Sequence, residues 1–411
     1  MIKTLIRYTA TALTCVILAV SIPFTSYADT TNEYQQQMEE RKSLPIQSNE
    51  IANWPEGPAI GAESAILMEM NTHTILYAKN IHEEMYPAST TKIMTCLLSA
   101  QNCNLDEKVT FSHNAVYGVP SDGSNMGIDE GEVITMEQAM YGILVGSANE
   151  AASAVGEHVA EALGKEPTQE AFAQIMNDKA KELGCENTHF VNANGLFDEN
   201  HYTSAYDLAL IGCEFFNNEL LCKMSSTSHY NIPPTDTQPD DIWINSKNQL
   251  YKGKEHAYPY LLGSKTGFVS QARQTLVSGA EKDGMKLVCV VFMEESPNQF
   301  TDTIQLFNYG FENFEKVDMK VSMEPVPFKV LPCDKYILKN NGNTYPFYYQ
   351  TKVYVTLPKG IKKSQLNKRQ AVLQNAVGPL RLKSKYYYKK QMVGWGMQYE
   401  RNIVSDLLLA S

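Results

Sequence analysis

The apolar pattern of the chain changes twice, and this order constrains the fold more than any other feature of the sequence. Short apolar segments at residues 65–70 and 74–77 flank a polar turn, which predicts a β-hairpin. Apolar residues at helical spacing then follow over residues 136–162, 168–183 and 203–216. The long first segment is interrupted by small residues, so we expect one helix to end there and another to begin.

Strand-like segments return at residues 260–268, 275–280 and 287–292, before a last helical segment at 298–314. Because strands precede and follow the helices, we expect helices packed on one antiparallel sheet whose first and last strands are neighbours. The predicted fold class is therefore α/β in the broad sense, an α+β arrangement of an antiparallel sheet flanked by helices.

The remainder of the chain has a different charge and pattern. The whole sequence has 411 residues and a net charge of −11, but from Lys316 onward seventeen Lys and Arg face five Asp and Glu. This length exceeds what one core usually serves. Repeated prolines among strand-like segments predict a small all-β domain at residues 315–411, after a main domain at 53–314. Its basic face could meet an anionic wall polymer or a membrane surface, or be an ordinary lysine-rich surface.

Residues 1–28 have the features of an export signal. Lys3 and Arg7 give a positive start, an apolar run follows, and a small-x-small cleavage site ends at Ala28. The apolar run is shorter than the ~20 residues of a spanning helix, which favours cleavage over a retained anchor. Both alternatives place the remaining chain outside the cytoplasm. Residues 29–52 are polar and predict a tether.

The cysteines and histidines show no metal-ligand spacing, so neither a metal nor another cofactor is expected. Apolar surroundings favour buried free thiols for most cysteines after the signal, namely Cys96, Cys185, Cys213, Cys222, Cys289 and Cys333. Cys103 is the exception, because it lies in a polar segment. Structural roles are expected for His113, His158, His189 and His201. The acidic main domain argues against nucleic acid as a partner.

Ser89 and Lys92 form the first motif that can carry chemistry. Pro87 predicts a helix start nearby, and a spacing of three residues places the hydroxyl and the amine on one face. A serine is a weak nucleophile unless a base removes its proton. Lys92 could be that base if burial and a second lysine, with Lys265 as the candidate, lower its pKa by about three units.

Two further motifs follow in order. Ser-x-Asn occurs four times, and we favour Ser147 to Asn149 because it follows a long helix at a break of small residues. Lys265-Thr266-Gly267 occurs once, on a predicted strand. Ser-x-x-Lys, Ser-x-Asn and Lys-Thr-Gly in this order are the motifs of penicillin-binding proteins and class A β-lactamases.

The segments around these motifs extend the likeness. They are residues 53–69, 86–95, 135–152, 190–196, 201–207 and 263–268. Together they resemble the D-alanyl-D-alanine carboxypeptidases, the low-molecular-weight penicillin-binding proteins, over about residues 54–314. The basic C-terminal region is similar to that of the family, with weaker motifs. The resemblance implies a β-lactamase/transpeptidase-like fold.

The resemblance also implies a two-step acyl transfer on a peptidoglycan pentapeptide ending in D-Ala-D-Ala. Ser89 would attack the penultimate carbonyl carbon, Lys92 would take its proton, and water would later free the enzyme. Ser147 would relay a proton to the leaving amine, while Asn149 would hold the substrate amide and Lys92. β-Lactam antibiotics would acylate the same serine.

The strand motif would bind the substrate. By the resemblance, Lys265 supplies positive charge, Thr266 binds the terminal carboxylate, and Gly267 lets the substrate lie along the strand. The backbone N–H groups of Ser89 and Phe268 would form the oxyanion hole.

Several positions depart from the family pattern. Ala148 stands where glycine is usual, and Glu150 where aspartate is usual. Arg273 is shifted by one position, and Gln299 stands where an arginine is common. These changes bear on substrate preference.

Two other functions stay open. A class A β-lactamase deacylates through a Glu-x-x-Leu-Asn segment between the second and third motifs, and the sequence contains none there. A non-catalytic wall-binding or penicillin-sensing module is the other alternative, suggested by the altered arginine positions.

Overall fold

The computed structural model describes residues 27–319, 347–349, 353–373 and 381–400. Its helices are α1 (Tyr27–Lys42), α2 (Lys92–Asn102), α3 (His113–Tyr117), α4 (Met136–Tyr141), α5 (Asn149–Ala162), α6 (Gln169–Leu183), α7 (Ala205–Phe216), α8 (Glu219–Ser225) and α9 (Asn298–Asn313). Its strands are β1 (Ser64–Glu69), β2 (Thr74–Lys79), β3 (Lys108–Thr110), β4 (Val133–Thr135), β5 (His229–Ile232), β6 (Ile242–Asn245), β7 (Leu261–Val269), β8 (Arg273–Lys282), β9 (Met285–Glu294), β10 (Phe314–Asp318), β11 (Phe347–Tyr349), β12 (Tyr354–Pro358), β13 (Leu366–Leu373), β14 (Arg381–Tyr388) and β15 (Gln391–Glu400).

A five-stranded antiparallel sheet in the order β2-β1-β9-β8-β7 forms the centre of the main domain. The first hairpin pairs with the last strand, since Ala65 of β1 lies opposite Val291 of β9. This confirms the predicted meeting of first and last strands and the predicted α+β fold class. β7 is an edge strand of this sheet.

Both faces of the sheet are buried, which explains the unbroken apolar run of β9. Val288 and Val290 face one core with α2, α5 and α7, whereas Leu287 and Val291 face a second core that includes residues of α9. Successive strand residues point to opposite faces, so a strand covered on both sides is apolar at every position.

The predicted interruption of the long helical segment is present. α4 begins with a capping box in which Thr135 and Gln138 exchange side-chain-to-backbone hydrogen bonds. A π-helical turn over Gly142–Gly146 follows, and Ser147 then adopts a left-handed conformation with φ 61°. The chain is thereby redirected so that α5 begins at Asn149.

The predicted tether is wrong for most of its length. Residues 27–42 form α1, and this helix is held against the main domain. Met38 is buried, Arg41 Nε donates to the Gly61 carbonyl at 2.9 Å, and Lys79 Nζ donates to the Arg41 carbonyl at 2.8 Å. A polar helix can dock in this way because side-chain-to-backbone hydrogen bonds replace apolar burial. The predicted signal lies outside the described residues, apart from its last two positions, where α1 begins.

The C-terminal region is rich in strands where it is described, as predicted. β10 pairs with β12, and β11, β15, β14 and β13 form a four-stranded sheet. Trp54 joins this region to the main domain, with ring centroids 5.1 Å from Phe314 and 6.4 Å from Tyr388. Across the described parts of the chain, no helix is both long enough and apolar enough to cross a membrane.

Candidate active site

Ser89 lies in a short 3-10 turn, Ala88–Thr91, directly before α2. The carbonyl oxygen of Pro87 accepts hydrogen bonds from Thr90 Oγ1 at 2.6 Å and from Thr275 Oγ1 of β8 at 2.9 Å. The turn that carries the serine is therefore fixed to the central sheet.

A loop containing Gly195 closes over the other side of this turn. A Cβ atom at Gly195 would lie 1.9 Å from the Ala88 carbonyl oxygen, and the residue has φ +83°. Both facts require glycine. His201 links the same two segments, because its Nε2 lies 2.9 Å from Thr91 Oγ1 and its Nδ1 accepts from Val191 N at 3.0 Å. Burial lowers the pKa of His201 to about 3, so the ring is neutral and has the structural role predicted for it.

The amine of Lys92 contacts three oxygen atoms. Nζ lies 2.9 Å from Ser89 Oγ, 2.8 Å from Asn149 Oδ1 and 2.6 Å from the Asn194 carbonyl oxygen. Two of these oxygens belong to carbonyl groups, which can only accept. A neutral amine can make all three contacts, if its two N–H bonds donate to the carbonyl oxygens and its lone pair accepts from the Ser89 hydroxyl.

The surroundings of Lys92 favour this neutral form. Its side chain is fully buried. Burial is the largest cause that holds its pKa well below the ordinary lysine value, and the charge of Lys265 lowers it further. Glu150 opposes this effect, but its own carboxyl oxygen accepts from Met126 N at 2.6 Å, and burial raises its pKa. The lowering of the Lys92 pKa thus has the two causes expected from the sequence, burial and a second lysine.

Ser147 and Lys265 complete the cluster. Lys265 Nζ lies 3.0 Å from Ser147 Oγ and 2.7 Å from the Thr266 carbonyl oxygen. Burial lowers the pKa of Lys265 to about 7. Ser147 is held in its left-handed conformation, so its hydroxyl position is set by the backbone of the break between α4 and α5. Of the four Ser-x-Asn segments, the structure therefore joins the favoured one to both lysines.

The structure gives a packing reason for glycine at position 267, in addition to the substrate contact that the resemblance implies. A Cβ atom there would lie 2.4 Å from Thr275 Oγ1 and 2.8 Å from the Ser89 backbone nitrogen. Glycine therefore allows β7 to press against the turn that carries Ser89. Thr266 is half-buried and Phe268 is 51% exposed, so both lie at the accessible end of this strand.

The altered arginine positions have partners within the protein. Arg273 donates to both carboxylate oxygens of Glu295, at 3.1 Å and 2.7 Å, and its guanidinium lies 3.7 Å from the centroid of the Tyr34 ring. Gln299 is buried, with its Nε2 3.4 Å from Gln274 Oε1. The planar fork of Arg273 is thus already satisfied by a carboxylate of its own chain.

Sequence reasoning missed two of the groups that shape the site, namely the Asn194 carbonyl oxygen and Gly195. The asparagine-rich segment at residues 190–196 is indicated by its resemblance to the family alone. A backbone acceptor and a tight contact leave no spacing pattern, so the segment itself was the one available signal.

Comparison with known proteins decides the family. A model of the D-alanyl-D-alanine carboxypeptidase family matches residues 51–296, which is more than half of the chain. This chain belongs to the D-alanyl-D-alanine carboxypeptidase family. The matched range contains all the predicted site residues of this family member, from Ser89 to Phe268.

Individual relatives agree with this assignment. The D-alanyl-D-alanine carboxypeptidase DacF of Bacillus subtilis is 35% identical over 262 residues, which cover 62% of this chain and 63% of the relative. Penicillin binding protein 5 from Haemophilus influenzae has a similar solved structure, with 26% identity, a TM-score of 0.65, and coverage of 85% of this chain and 99% of that one. The Streptomyces K15 DD-transpeptidase is 29% identical with a TM-score of 0.56, covering 63% of this chain and 100% of that one. These two solved structures share the fold described above.

Proposed function

We propose that this protein is a serine D-Ala-D-Ala carboxypeptidase that removes the terminal D-alanine from peptidoglycan stem peptides. The observation that carries the proposal is the position of Lys92 Nζ, 2.9 Å from Ser89 Oγ and held by two carbonyl oxygens. Such an amine is placed to accept the serine proton, and burial together with the charge of Lys265 favours its neutral form.

The acylation step follows from these contacts. Ser89 Oγ attacks the penultimate carbonyl carbon, and its proton passes to Lys92. Cleavage of the C–N bond needs a proton on the leaving amine, and Ser147 is the proposed relay, with its hydroxyl held 3.0 Å from Lys265 Nζ. The Ser147 hydroxyl gives its proton to the amine and takes the one that Lys92 received, so Lys92 is neutral again. Water then attacks the acyl-enzyme ester, with Lys92 again accepting a proton, and the free Ser89 hydroxyl returns.

Substrate binding is assigned to the edge of the sheet. β7 is an edge strand, so an extended peptide can lie beside it as an additional strand. Asn149 would hold the substrate amide, and the backbone N–H groups of Ser89 and Phe268 would stabilise the oxyanion. Because the Arg273 guanidinium already donates to the Glu295 carboxylate, binding of the terminal carboxylate of the substrate would depend on Lys265 and Thr266.

The features of residues 1–28 support export, with the enzyme acting at the cell wall or the outer face of the cytoplasmic membrane. β-Lactam antibiotics would acylate Ser89 as substrate analogues. The boundary between the main domain and the C-terminal domain is proposed at residues 314/315, one residue into β10, which directly follows α9. The excess of Lys and Arg after it supports contact with an anionic wall polymer or membrane surface.

The test is D-alanine release from a pentapeptide ending in D-Ala-D-Ala. The unaltered protein should release D-alanine and Ser89→Ala should release none, whereas Ser226→Ala, at an exposed serine, should match the unaltered protein. A chromogenic cephalosporin separates the β-lactamase alternative. Rapid cephalosporin turnover without D-alanine release would overturn the proposal, and an intact pentapeptide at high enzyme concentration would favour a non-catalytic module.

A further inference from the structure

Three side chains of different chemistry meet where α2 ends beside α5. Cys103 follows the last residue of α2, Glu107 precedes β3, and His158 lies on α5. One ligand atom of each, the thiol sulfur, a carboxylate oxygen and a ring nitrogen, lie within 4.8 Å of one another. The closest pair is Glu107 Oε2 and His158 Nε2, 2.9 Å apart.

Contacts with the surrounding chain orient this cluster. The backbone N–H and the side-chain amide of Asn104 both donate to Glu107 Oε1, at 2.7 Å and 3.0 Å. The second carboxylate oxygen therefore faces His158. The backbone N–H of Cys103 donates to the Ser99 carbonyl at 2.9 Å, which ties the thiol-bearing residue to the last turn of α2. The three side chains are half-buried, so the cluster is built into the fold and still open to solvent.

Cys103 differs from the other cysteines of the described chain. Cys96, Cys213 and Cys289 are buried in the cores. Cys185 and Cys222 are half-buried, but their thiols donate to backbone carbonyl groups. The thiol of Cys103 instead lies within 4.8 Å of a Glu107 carboxylate oxygen and of a His158 ring nitrogen. Cys103 is also the cysteine that the sequence sets apart, because it lies in a polar segment. The proposed hydrolase chemistry does not use its thiol.

We propose that Cys103, Glu107 and His158 bind one divalent transition-metal cation of the Zn²⁺ type. Thiolate, imidazole and carboxylate together suit Zn²⁺, whereas Mg²⁺ and Ca²⁺ prefer oxygen ligands alone. On binding, the thiol releases its proton to solvent and forms a sulfur–metal bond. The hydrogen bond between Glu107 and His158 is replaced by one bond from each side chain to the cation. Three protein ligands leave one position for water.

The location of the cluster indicates what the cation does. α2 and α5 begin with Lys92 and Asn149, whose side chains are 2.8 Å apart, and the cation would join the same two helices farther along. At a rise of 1.5 Å per residue, Cys103 lies about 16 Å from Lys92 along the axis of α2. The cation therefore does not reach the reacting atoms and acts by fastening the helix pair.

The proposal is tested on the full chain, first stripped of metal with a chelator and then titrated with ZnCl₂ alone in a calorimeter. We expect one Zn²⁺ per chain and a rise in Tm of at least about 2 °C when the site is saturated. Co²⁺ used as a spectroscopic probe should give a thiolate-to-metal charge-transfer band.

Two variants and a matched control make the test specific. Cys103→Ser and Glu107→Gln should each weaken Zn²⁺ binding at least about tenfold and abolish the rise in Tm. Cys222→Ser removes another half-buried thiol and should bind Zn²⁺ as the unaltered protein does. Circular dichroism of the metal-free variants checks that they are folded. If Cys103→Ser does not fold, the shape-conserving Glu107→Gln still provides the test. Absence of stoichiometric binding, or equal binding by the folded variants and the control, would overturn the proposal.

Discussion

Lys92 and Lys79 are both buried lysines, but their surroundings differ. Lys92 contacts a serine hydroxyl and two carbonyl oxygens. Lys79 donates to the Arg41 and Ile60 carbonyl groups, at 2.8 Å and 2.9 Å. Burial lowers the pKa of Lys79 to about 8, and nearby carboxyl groups on β9 and α9 act against that lowering. Within the described residues, neither hydrogen-bond partner of Lys79 is a nucleophile.

The comparison shows that a lowered lysine pKa does not by itself identify a catalytic base. Burial is the largest cause of the lowering at both positions. At Lys92 the next contribution is another lysine, whereas at Lys79 it is the opposing charge of Glu294. The contact with a hydroxyl therefore distinguishes the proposed base from a lysine that holds α1 against the main domain.

The largest expected effect separates the two lysines by activity. Lys92→Met removes the proposed base, so the second-order rate of acylation by a fluorescent penicillin should fall about 10²-fold to 10⁴-fold. Circular dichroism should show a folded protein. Stopped-flow labelling measures the rate, and a rate within threefold of the unaltered protein would remove Lys92 from the mechanism.

Lys79→Met should have the opposite pattern of effects, lowering stability and leaving the acylation rate unchanged. Two carbonyl groups lose their donor, so the free energy of unfolding should fall by about 3 kcal/mol. The acylation rate of the folded fraction should not change. Denaturant unfolding measures the first quantity and stopped-flow labelling the second. Loss of acylation with unchanged stability would mean that the two lysines had been assigned the wrong roles.

A smaller effect is expected in the pH profile. Acylation should slow as the pH falls through the pKa of Lys92, because the protonated amine cannot accept the serine proton. The charge of Lys265 lowers that pKa, so Lys265→Gln should move the acid limb to higher pH by about one unit. Lys265→Arg keeps the charge and is the matched control. An acid limb that stays in place in Lys265→Gln would show that the second lysine does not tune the first.

The central sheet and the cluster around Ser89 could be predicted because both are encoded by spacing within short segments. The hairpin at β1 and β2 consists of two short apolar runs around a polar turn, and Ser89 and Lys92 are separated by one helical turn. The choice of Ser147 to Asn149 among four similar segments required the helix break as a second signal.

Contacts between distant segments could not be predicted in this way. α1 has few apolar residues, and it docks through Met38 and through hydrogen bonds to the backbone, neither of which produces a periodic pattern. His158 is 51 residues from Glu107, so only the packing of α5 brings its ring to the Cys103 thiol.

The most direct test of the account is the intact mass of the protein after penicillin treatment, followed by mapping of the modified peptide. The account predicts a single adduct, on the peptide that contains Ser89, and no adduct in Ser89→Ala. An adduct on any other residue, or a labelled Ser89→Ala variant, would contradict the assignment of the nucleophile.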